Sequence, residues 1–344
     1  MSPQQLDDLV APIALYPDPL VAQVLAASTY PMEIAEAEQW VQDHRNWKPS
    51  KLVSNAKKEN WDPSVQALTA FPDVLARLSQ NIGWTTQLGN AFLAQQADVM
   101  QSVQHMRAQA QAKGTLRSGP QETVTTQNQG GQTAIDIEPA NPDTWYVPDY
   151  NPAYAYGPPA WGVYPPWAYP GIDVGFGWGG GIDLGLCFGG WGGWGWGGWG
   201  WSPNWFGGGL FIGNSFFNRY GYRNFGGRGQ LGNSAWGHDA GHRLGVPYGN
   251  REVANRYARS GASNGARAGL SNRGQSQQRM GSSGFEQRGH TDNHSAFGGV
   301  HNGGATRMQS DRGFSSMGGG RSFGGGGGMR GGGGGGHGGG GHHD

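Results

Sequence analysis

Apolar residues in the first third of the chain recur at the three- and four-residue spacing of helices, and most of these stretches begin at a proline. Proline is tolerated at the first helical position because its missing N–H group is not needed there. The pattern therefore predicts a series of short helices. Their expected starts are Ser2-Pro3, Asp18-Pro19, Pro31, Asp62-Pro63 and Phe71-Pro72. In the third segment the stripe expected to be buried comprises Ile34, Ala37, Trp40 and Val41.

The next stretch predicts one long amphipathic helix from about Trp84 to Lys113. Its apolar residues keep helical spacing, and the opposite face is rich in Gln. Gly114 follows as the C-cap, because glycine readily adopts the left-handed conformation that ends many helices. The stripe comprises Leu88, Phe92, Gln95 or Gln96, Val99, Val103 and Met106.

From Glu122 the hydrophobic period changes from that of a helix to that of a strand. The segments ETVTTQNQ and TAIDIEP alternate around Gly130-Gly131, which predicts a hairpin. TWYV, residues 144–147, is a candidate third strand. The first 150 residues therefore predict a mainly α domain, with several short helices and one long one, followed by a small antiparallel β appendage.

The rest of the chain is predicted to be low in complexity and largely disordered. It has few Leu, Ile and Val residues, so it cannot offset an ordering cost of roughly 1–2 kcal/mol per residue. We divide it into a Pro/Tyr/Trp linker at 151–170, a Gly/Trp/Phe segment at 171–232, a short semi-ordered patch at 233–260 and a Gly/Ser/Arg/His tail at 261–344.

Charge is distributed unevenly, although the 344 residues have no net charge. Residues 1–150 contain 9 Lys and Arg against 16 Asp and Glu, a net charge of −7. Residues 151–344 contain 15 Arg, no Lys and 8 Asp and Glu, a net charge of +7. Arginine beside many aromatic residues favours stacking and cation–π contacts. A coding bias explains the same composition, and the sequence leaves both explanations open.

The sequence gives two alternative locations. Cys187 is the only cysteine, so no intramolecular disulfide can form and the redox compartment is not indicated. No stretch reaches the 18 apolar residues of a membrane-spanning helix. MSPQQLDDLV has neither the basic nor the apolar region of a signal peptide. We expect a cytoplasmic protein if Met1 is the true start, and a periplasmic or envelope protein if a leader is missing from this chain.

No pattern of residues predicts catalysis or a cofactor. Asp18, Asp62 and Asp73 stand beside prolines at helix starts, where an N-cap is a better explanation than acid–base chemistry. No Ser, His and Asp occur in a nucleophile-elbow context. His44 and His105 are expected on helix surfaces. We therefore predict that the protein is not an enzyme.

The histidines after Trp236 are candidate metal ligands. His238 and His242 are four residues apart, and His342 and His343 form a terminal cluster with Asp344. Imidazole and carboxylate groups suit Zn, Ni or Cu. A site on a Gly-rich chain would be weak and unselective, because such a chain is not preorganised.

The Gly/Trp block supplies candidate interaction residues, which are Trp191, Trp194, Trp196, Trp199 and Trp201. Self-association, glycan binding, a membrane-interface position and an inert spacer all remain open for this block. Arg-Gly pairs in the tail resemble those of RNA-binding segments, but Arg is sparse and the sequence does not favour nucleic acid as a partner.

Several long phrases resemble the bacterial domain-of-unknown-function 3300 family. They are LVAPIALYPDPLVAQVLAASTYPMEIAEAEQWV, WDPSVQALTAFPDVL, IDIEPANPDTWYVPDYNP and HRLGVPYGNREVANRYA. Members of this family usually carry an export signal or lipoprotein leader, so the resemblance implies the cell envelope. The last phrase is expected to form a docking element whose interaction residues are Arg243, Tyr248 and Asn250. The resemblance implies no activity.

Together these observations predict a non-catalytic, envelope-associated structural or interaction protein. Its folded domain would bind a partner, and its aromatic Gly-rich tail would supply adhesive contacts to itself or to an envelope protein or glycan. Two alternatives are a nucleic-acid-binding protein that acts through the Arg/Gly tail, and an enzyme with an unrecognised site in the helical domain.

Overall fold

The structure is a computed structural model that describes residues 1–141, 143–171, 173–183, 200–212 and 234–257. Its first 113 residues are helical, as predicted. The helices are α1 (Pro3–Val10), α2 (Asp18–Ala27), α3 (Pro31–Asp43), α4 (Pro49–Ala56), α5 (Pro63–Leu68), α6 (Pro72–Gln80), α7 (Ile82–Ala94) and α8 (Gln96–Lys113). A proline occupies one of the first two positions in each helix from α1 to α6, which confirms the predicted starts.

The expectation of one continuous helix over residues 84–113 is wrong. Gln95 leaves the helical region at φ −141° and ψ 55°, so α7 ends at Ala94 and α8 begins at Gln96. The Gln95 side chain bonds Asp98 and the backbone carbonyl of Met1, at 3.0 and 3.2 Å. These bonds tie the break to the start of the chain. Gly114 ends α8 in the left-handed conformation, as expected.

The centre of the helical part is α2, which is buried at every one of its positions. Helices α5 and α7 pack against it. Gly89 on α7 lies so close to the end of α2 that a β-carbon there would overlap the Ser28 carbonyl. This contact requires glycine, because any other side chain would push the two helices apart.

The predicted hairpin is present. Strands β1 (Glu122–Gln129) and β2 (Gln132–Pro139) pair antiparallel, and Gly130 and Gly131 turn the chain at positive φ. The hairpin is fixed to α8 because the backbone N–H and C=O of Ile135 both bond the Gln104 side chain.

The candidate third strand does not join this hairpin. Strand β3 (Thr144–Trp145) pairs with β6 (Ile182–Asp183), and β4 (Pro148–Tyr150) pairs with β5 (Phe176–Trp178). The remaining described elements are α9 (Pro152–Ala155), the three-stranded sheet of β7 (Trp201–Asn204), β8 (Gly209–Ile212) and β9 (Ser234–Ala235), and a 3₁₀ turn at Ala240–Arg243. Residues 251–257 are helical.

Packed structure continues beyond the boundary expected at residue 150. Tyr156 and Trp167, in the segment expected to be an extended linker, are buried in the same core as the helices. So is Trp201, which is 0% exposed and therefore cannot present the free face expected of an interaction residue. A buried aromatic side chain removes roughly 150–250 Å² from water, which compensates for the scarcity of aliphatic residues here.

All the described residues fall in one compact unit of the chain. Within these ranges, no helix combines the length and the apolar character needed to cross a membrane. The expectations for residues 184–199, 213–233 and 258–344 lie outside the described structure. They include Trp191, Trp194, Trp196, Trp199, His342 and His343.

Candidate functional site

An open groove lies along one face of α3. We call it the α3 groove. It has a volume of about 480 Å³ and is lined by Met32, Ala35, Glu36, Gln39, Trp40, Asp43 and Trp61. Residues spaced by three or four share one helix face, so Glu36, Trp40 and Asp43 are presented side by side. Glu36, Gln39 and Asp43 are exposed, whereas Trp40 is half-buried.

Two tryptophans form the aromatic wall of the α3 groove. The rings of Trp40 and Trp61 meet edge to face, with centroids 5.9 Å apart. The Trp61 indole N–H donates to Glu36 Oε2 at 3.1 Å, which fixes both side chains. Gln39 donates to Asp43 Oδ1 at 3.3 Å. One oxygen of each carboxylate therefore remains to face a ligand.

Trp40 is supported from behind by His44. The His44 ring lies between Trp40 and Trp47, with centroid distances of 4.5 and 4.2 Å, and its Nδ1 is 2.7 Å from the Trp40 carbonyl oxygen. His44 is thus a half-buried support and not the surface residue expected. Lys51 covers the far side, with its ammonium 4.1 Å from the Trp47 ring centroid.

A segment from much later in the chain, residues 234–257, contacts the N-terminal end of α3, and we call it the docked segment. The Arg243 guanidinium, 2% exposed, is its main anchor. It donates to the Thr29 carbonyl at 2.9 Å and to Asn90 Oδ1 at 2.7 Å. It also bonds the carbonyls of Val246 and Pro247, and it lies 4.4 Å from the Tyr248 ring centroid. This supports the expected docking element and shows that it docks on its own chain.

The two described candidate metal ligands point at different protein groups. His242 Nδ1 is 2.6 Å from Glu33 Oε1, and that bond raises the pKa of His242. His238 stacks on Tyr30 and reaches Thr29 and Tyr248 at 3.2 and 3.1 Å. Burial lowers the pKa of His238 to about 3.

Among the described residues, no three His, Cys, Asp or Glu side chains are arranged to hold a metal ion. His238 and His242 instead bond Thr29 and Glu33, and these bonds hold the docked segment against the helical part. Metal binding that also uses His342 or His343 stays a prediction, because those residues lie outside the described ranges.

Arg243, Tyr248 and Asn250, the other expected interaction residues, line a second open cleft of about 600 Å³. Arg243 and Asn250 are engaged within the protein, because every Arg243 nitrogen donates to a protein oxygen and Asn250 Oδ1 accepts from the Val253 N–H at 2.8 Å. Arg251, which also lines the cleft, is exposed.

A third set of residues is buried except for one partly exposed tryptophan, Trp205. We call it the Arg107 cluster; it comprises Arg107, Asp18, Glu122, Asp136 and Trp205. Arg107, 0% exposed, pairs with Asp18 and donates to the carbonyls of Ala14, Tyr16 and Ile135 at 2.7–2.9 Å. Asp18 also accepts from the Ile137 N–H at 3.1 Å and from the Trp205 indole at 2.8 Å. These bonds join α2, α8, the hairpin and the Trp205 turn.

The other carboxyl groups of the Arg107 cluster are strongly perturbed. Burial raises the pKa of Glu122 to about 8, against the opposing charge of Arg107. Burial, reinforced by the neighbouring Asp18, raises the pKa of Asp136 to about 7. Asp18 itself is held as a carboxylate by its donors, although burial raises its pKa. Perturbed groups often mark active sites, but enclosed ion networks perturb pKa values equally well.

The capping prediction is correct for one aspartate of three. Asp62 caps α5 by accepting from the Ser64 N–H at 2.9 Å. Asp18 is not a cap, because Arg107 and the Ile137 N–H occupy its carboxylate. Asp73 lies in the first turn of α6 without a capping bond. His105 is exposed, as expected, and pairs with Asp7 at 2.8 Å.

Comparison with known proteins identifies a family. A family model described as "Protein of unknown function (DUF3300)" matches residues 2–205, a span that holds the α3 groove and the Arg107 cluster. The chain belongs to the DUF3300 family. The docked segment lies beyond the matched residues, so the resemblance of its HRLGVPYGN phrase to this family stays a prediction.

One curated protein with clear similarity is the uncharacterized protein YacH of Escherichia coli (strain K12). It is 42% identical over 193 residues, which cover 48% of this chain and 31% of YacH. The matched region thus spans about a third of that relative's length. No solved structure matches the chain.

Sequence reasoning missed the α3 groove because Trp40 was assigned to the buried stripe of α3. The relevant signal was nonetheless local. Glu36 and Asp43 flank Trp40 at spacings of four and three, so a tryptophan shares its helix face with two carboxylates. That combination is atypical of a helix face that packs in a core.

Proposed function

We propose that this protein is a non-catalytic, envelope-associated interaction protein. Its folded part binds a partner through the α3 groove, and its aromatic Gly-rich tail adds adhesive contacts. The observation that supports this function is the groove itself, in which two fixed tryptophans stand beside partly free carboxylates on an open surface. Aromatic residues with a few placed polar groups are typical of binding sites.

The position of the perturbed acids supports a non-catalytic role. A general acid or base must reach a substrate proton within hydrogen-bond distance. Glu122 and Asp136, whose pKa values are raised most clearly, are 2% and 3% exposed and surround Arg107. The accessible groove instead contains Glu36 and Asp43, each tied to a neighbouring side chain. Such an arrangement suits recognition better than proton transfer.

The envelope assignment rests on the family resemblance and is tested directly by fractionation of the native gene product. We expect recovery with the envelope and a cleaved leader when the mature N-terminus is read by mass spectrometry. A cytosolic product that starts at Met1 would overturn the assignment. RNA pull-down through the Arg/Gly tail would then become the next test.

The binding role is tested in the same cells by cross-linking the full-length chain and its variants. Trp40→Ala should lose the cross-linked partners of the wild type. Glu38→Gln is the matched control, because Glu38 lies on α3 outside the groove and accepts only from Gln42 at 2.9 Å. Equal cross-linking by all three proteins would remove the groove from the proposed function.

A further inference from the structure

The chemistry of the α3 groove selects a cation. Of the described residues that line it, Glu36 and Asp43 are acidic and none is basic. A tryptophan face attracts ammonium and guanidinium groups, and a nearby carboxylate strengthens that attraction. A neutral sugar would use the rings but not the two negative charges. The groove therefore favours a positively charged side chain, and a planar guanidinium matches both the ring and the carboxylates.

The rest of the described structure uses this pairing repeatedly. Arg107 lies 4.8 Å from the Trp205 ring centroid, and Arg243 lies 4.4 Å from that of Tyr248. Lys51 covers Trp47 at 4.1 Å, immediately beside the groove. The groove has the aromatic wall and the carboxylates, but no Lys or Arg is among the described residues that line it. A cation that binds there would come from another segment.

The C-terminal tail carries complementary charge. Residues 258–344 contain nine Arg and no Lys against four Asp and Glu, whereas residues 1–150 have a net charge of −7. The tripeptide Arg-x-Phe occurs three times in the chain, at 223–225, 312–314 and 321–323. It joins a guanidinium to an apolar ring two residues away. The groove offers matching features in its carboxylates and in Met32, which is 46% exposed.

We propose that the α3 groove of one copy binds an Arg-x-Phe segment, residues 312–323, from the tail of a second copy. The guanidinium of Arg312 or Arg321 would lie on Trp40 between Glu36 and Asp43, with the phenylalanine against Met32. One groove serves three Arg-x-Phe tripeptides in each chain, so at least two are left for other copies. The protein is therefore multivalent toward itself, which raises its avidity without any new kind of contact.

Self-association of the full-length chain tests this proposal by sedimentation velocity at increasing protein concentration. We expect oligomers that dissociate as salt screens the charge pairs. Trp40→Ala and the double variant Glu36→Gln/Asp43→Asn should each weaken association about tenfold or more. Glu38→Gln should associate as the wild type does. Circular dichroism confirms that each variant is folded. A wild type that stays monomeric, or groove variants that associate equally well, would overturn the proposal.

A synthetic peptide of residues 309–325 identifies the occupant. We expect the full-length protein to bind this peptide, with binding measured by fluorescence anisotropy of the labelled peptide. An excess of peptide should also dissociate the oligomers. Replacement of both arginines by Gln should abolish binding, and replacement by Lys should weaken it. If the peptide binds the groove of a protein that stays monomeric, the tail occupies its own chain's groove and the second-copy proposal is wrong. Equal binding of the Gln peptide would exclude the arginines as the recognised groups.

The proposal rests on the groove named in the proposed function, and the two can fail separately. If the full-length protein stays monomeric in sedimentation but still cross-links to envelope partners through Trp40, the groove is a site for other proteins and not for the tail. Self-association in a cytosolic product would keep the present inference and remove the envelope role.

Discussion

Arg107 and Arg243 are both almost completely buried, and both lie against the face of an aromatic ring. Each bonds backbone carbonyls that belong to distant parts of the chain. Arg107 pairs in addition with the Asp18 carboxylate, whereas Arg243 donates to three backbone carbonyls and to the Asn90 side-chain oxygen. Burial lowers the pKa of Arg243, as expected for a cation with so little opposing charge nearby.

This difference indicates two kinds of attachment. The Arg107 cluster surrounds one cation with several acids, so removal of the cation leaves buried negative charge at the centre of the fold. Arg243 is held by neutral groups at the edge of the helical part. Its removal frees Asn90 and a few carbonyls, most of which water could reach after local opening. We therefore expect the Arg107 contacts to be essential to the whole fold. Loss of the Arg243 contacts should release only the docked segment.

The largest effect is expected from Arg107→Met. Removing one partner of a buried ion pair costs about 3–5 kcal/mol, because the remaining charge stays uncompensated. Here the Asp18 carboxylate loses its paired cation, and Glu122 and Asp136 lose the positive charge that opposes the rise of their pKa values. The free energy of unfolding, measured by urea titration with circular dichroism and tryptophan fluorescence, should fall by that amount, and the protein should unfold cooperatively. Arg117→Met is the control, because Arg117 is exposed and its replacement should change stability by less than about 0.5 kcal/mol.

A smaller and local effect is expected from Arg243→Met. The guanidinium donates four hydrogen bonds, and losing bonds from a charged donor costs about 2–3 kcal/mol in total if the site can open to water. Hydrogen exchange should accelerate in the docked segment and remain slow in α2. Arg251→Met is the matched control, because Arg251 is exposed in the same segment. A parallel loss of protection in α2 would show that the two attachments are equivalent, contrary to the comparison.

The sequence predicted those features that depend on neighbouring residues. Prolines mark the starts of α1 to α6, and the paired glycines between alternating strands mark the hairpin. The break at Gln95 was missed because the apolar stripe keeps helical spacing through it. At this break the Gln95 side chain bonds Met1, which is distant along the chain.

The Arg107 cluster could not be predicted from the sequence, because its members are also distant along the chain. Its bonds join positions 18, 107, 135 and 205, and no local pattern relates them. Asp18 looked like an N-cap because it precedes a proline. The docking role of Arg243 was predicted from a family-like phrase, but its acceptors Thr29 and Asn90 are more than 150 residues away. Long-range pairing is thus the part of this fold that composition and periodicity leave open.

The smallest expected effect is a pH dependence of the docked segment that its two histidines set. His238 is neutral when docked, because burial lowers its pKa to about 3, and it regains an ordinary pKa near 6.5 when released. The released state then binds the extra proton, so docking weakens as the pH falls below about 6.5. His242 has the opposite shift, because its bond to Glu33 raises its pKa. Docking therefore also weakens as the pH rises from about 6.5 through that raised pKa.

The docked segment should consequently be best protected near pH 6.5. The Arg107 cluster should instead lose stability steadily as the pH rises from 5.5 to 8.5, because burial raises the pKa of Glu122 to about 8 and that of Asp136 to about 7, so the folded state binds more protons than the unfolded state. Hydrogen exchange, corrected for the intrinsic pH dependence of each amide, measures both regions in one sample. His242→Gln should flatten the alkaline side of the profile and His238→Gln the acidic side. Glu33, Asp62 and Asp239 also face these rings. A maximum that persists in the double His→Gln variant would assign the dependence to those carboxylates instead.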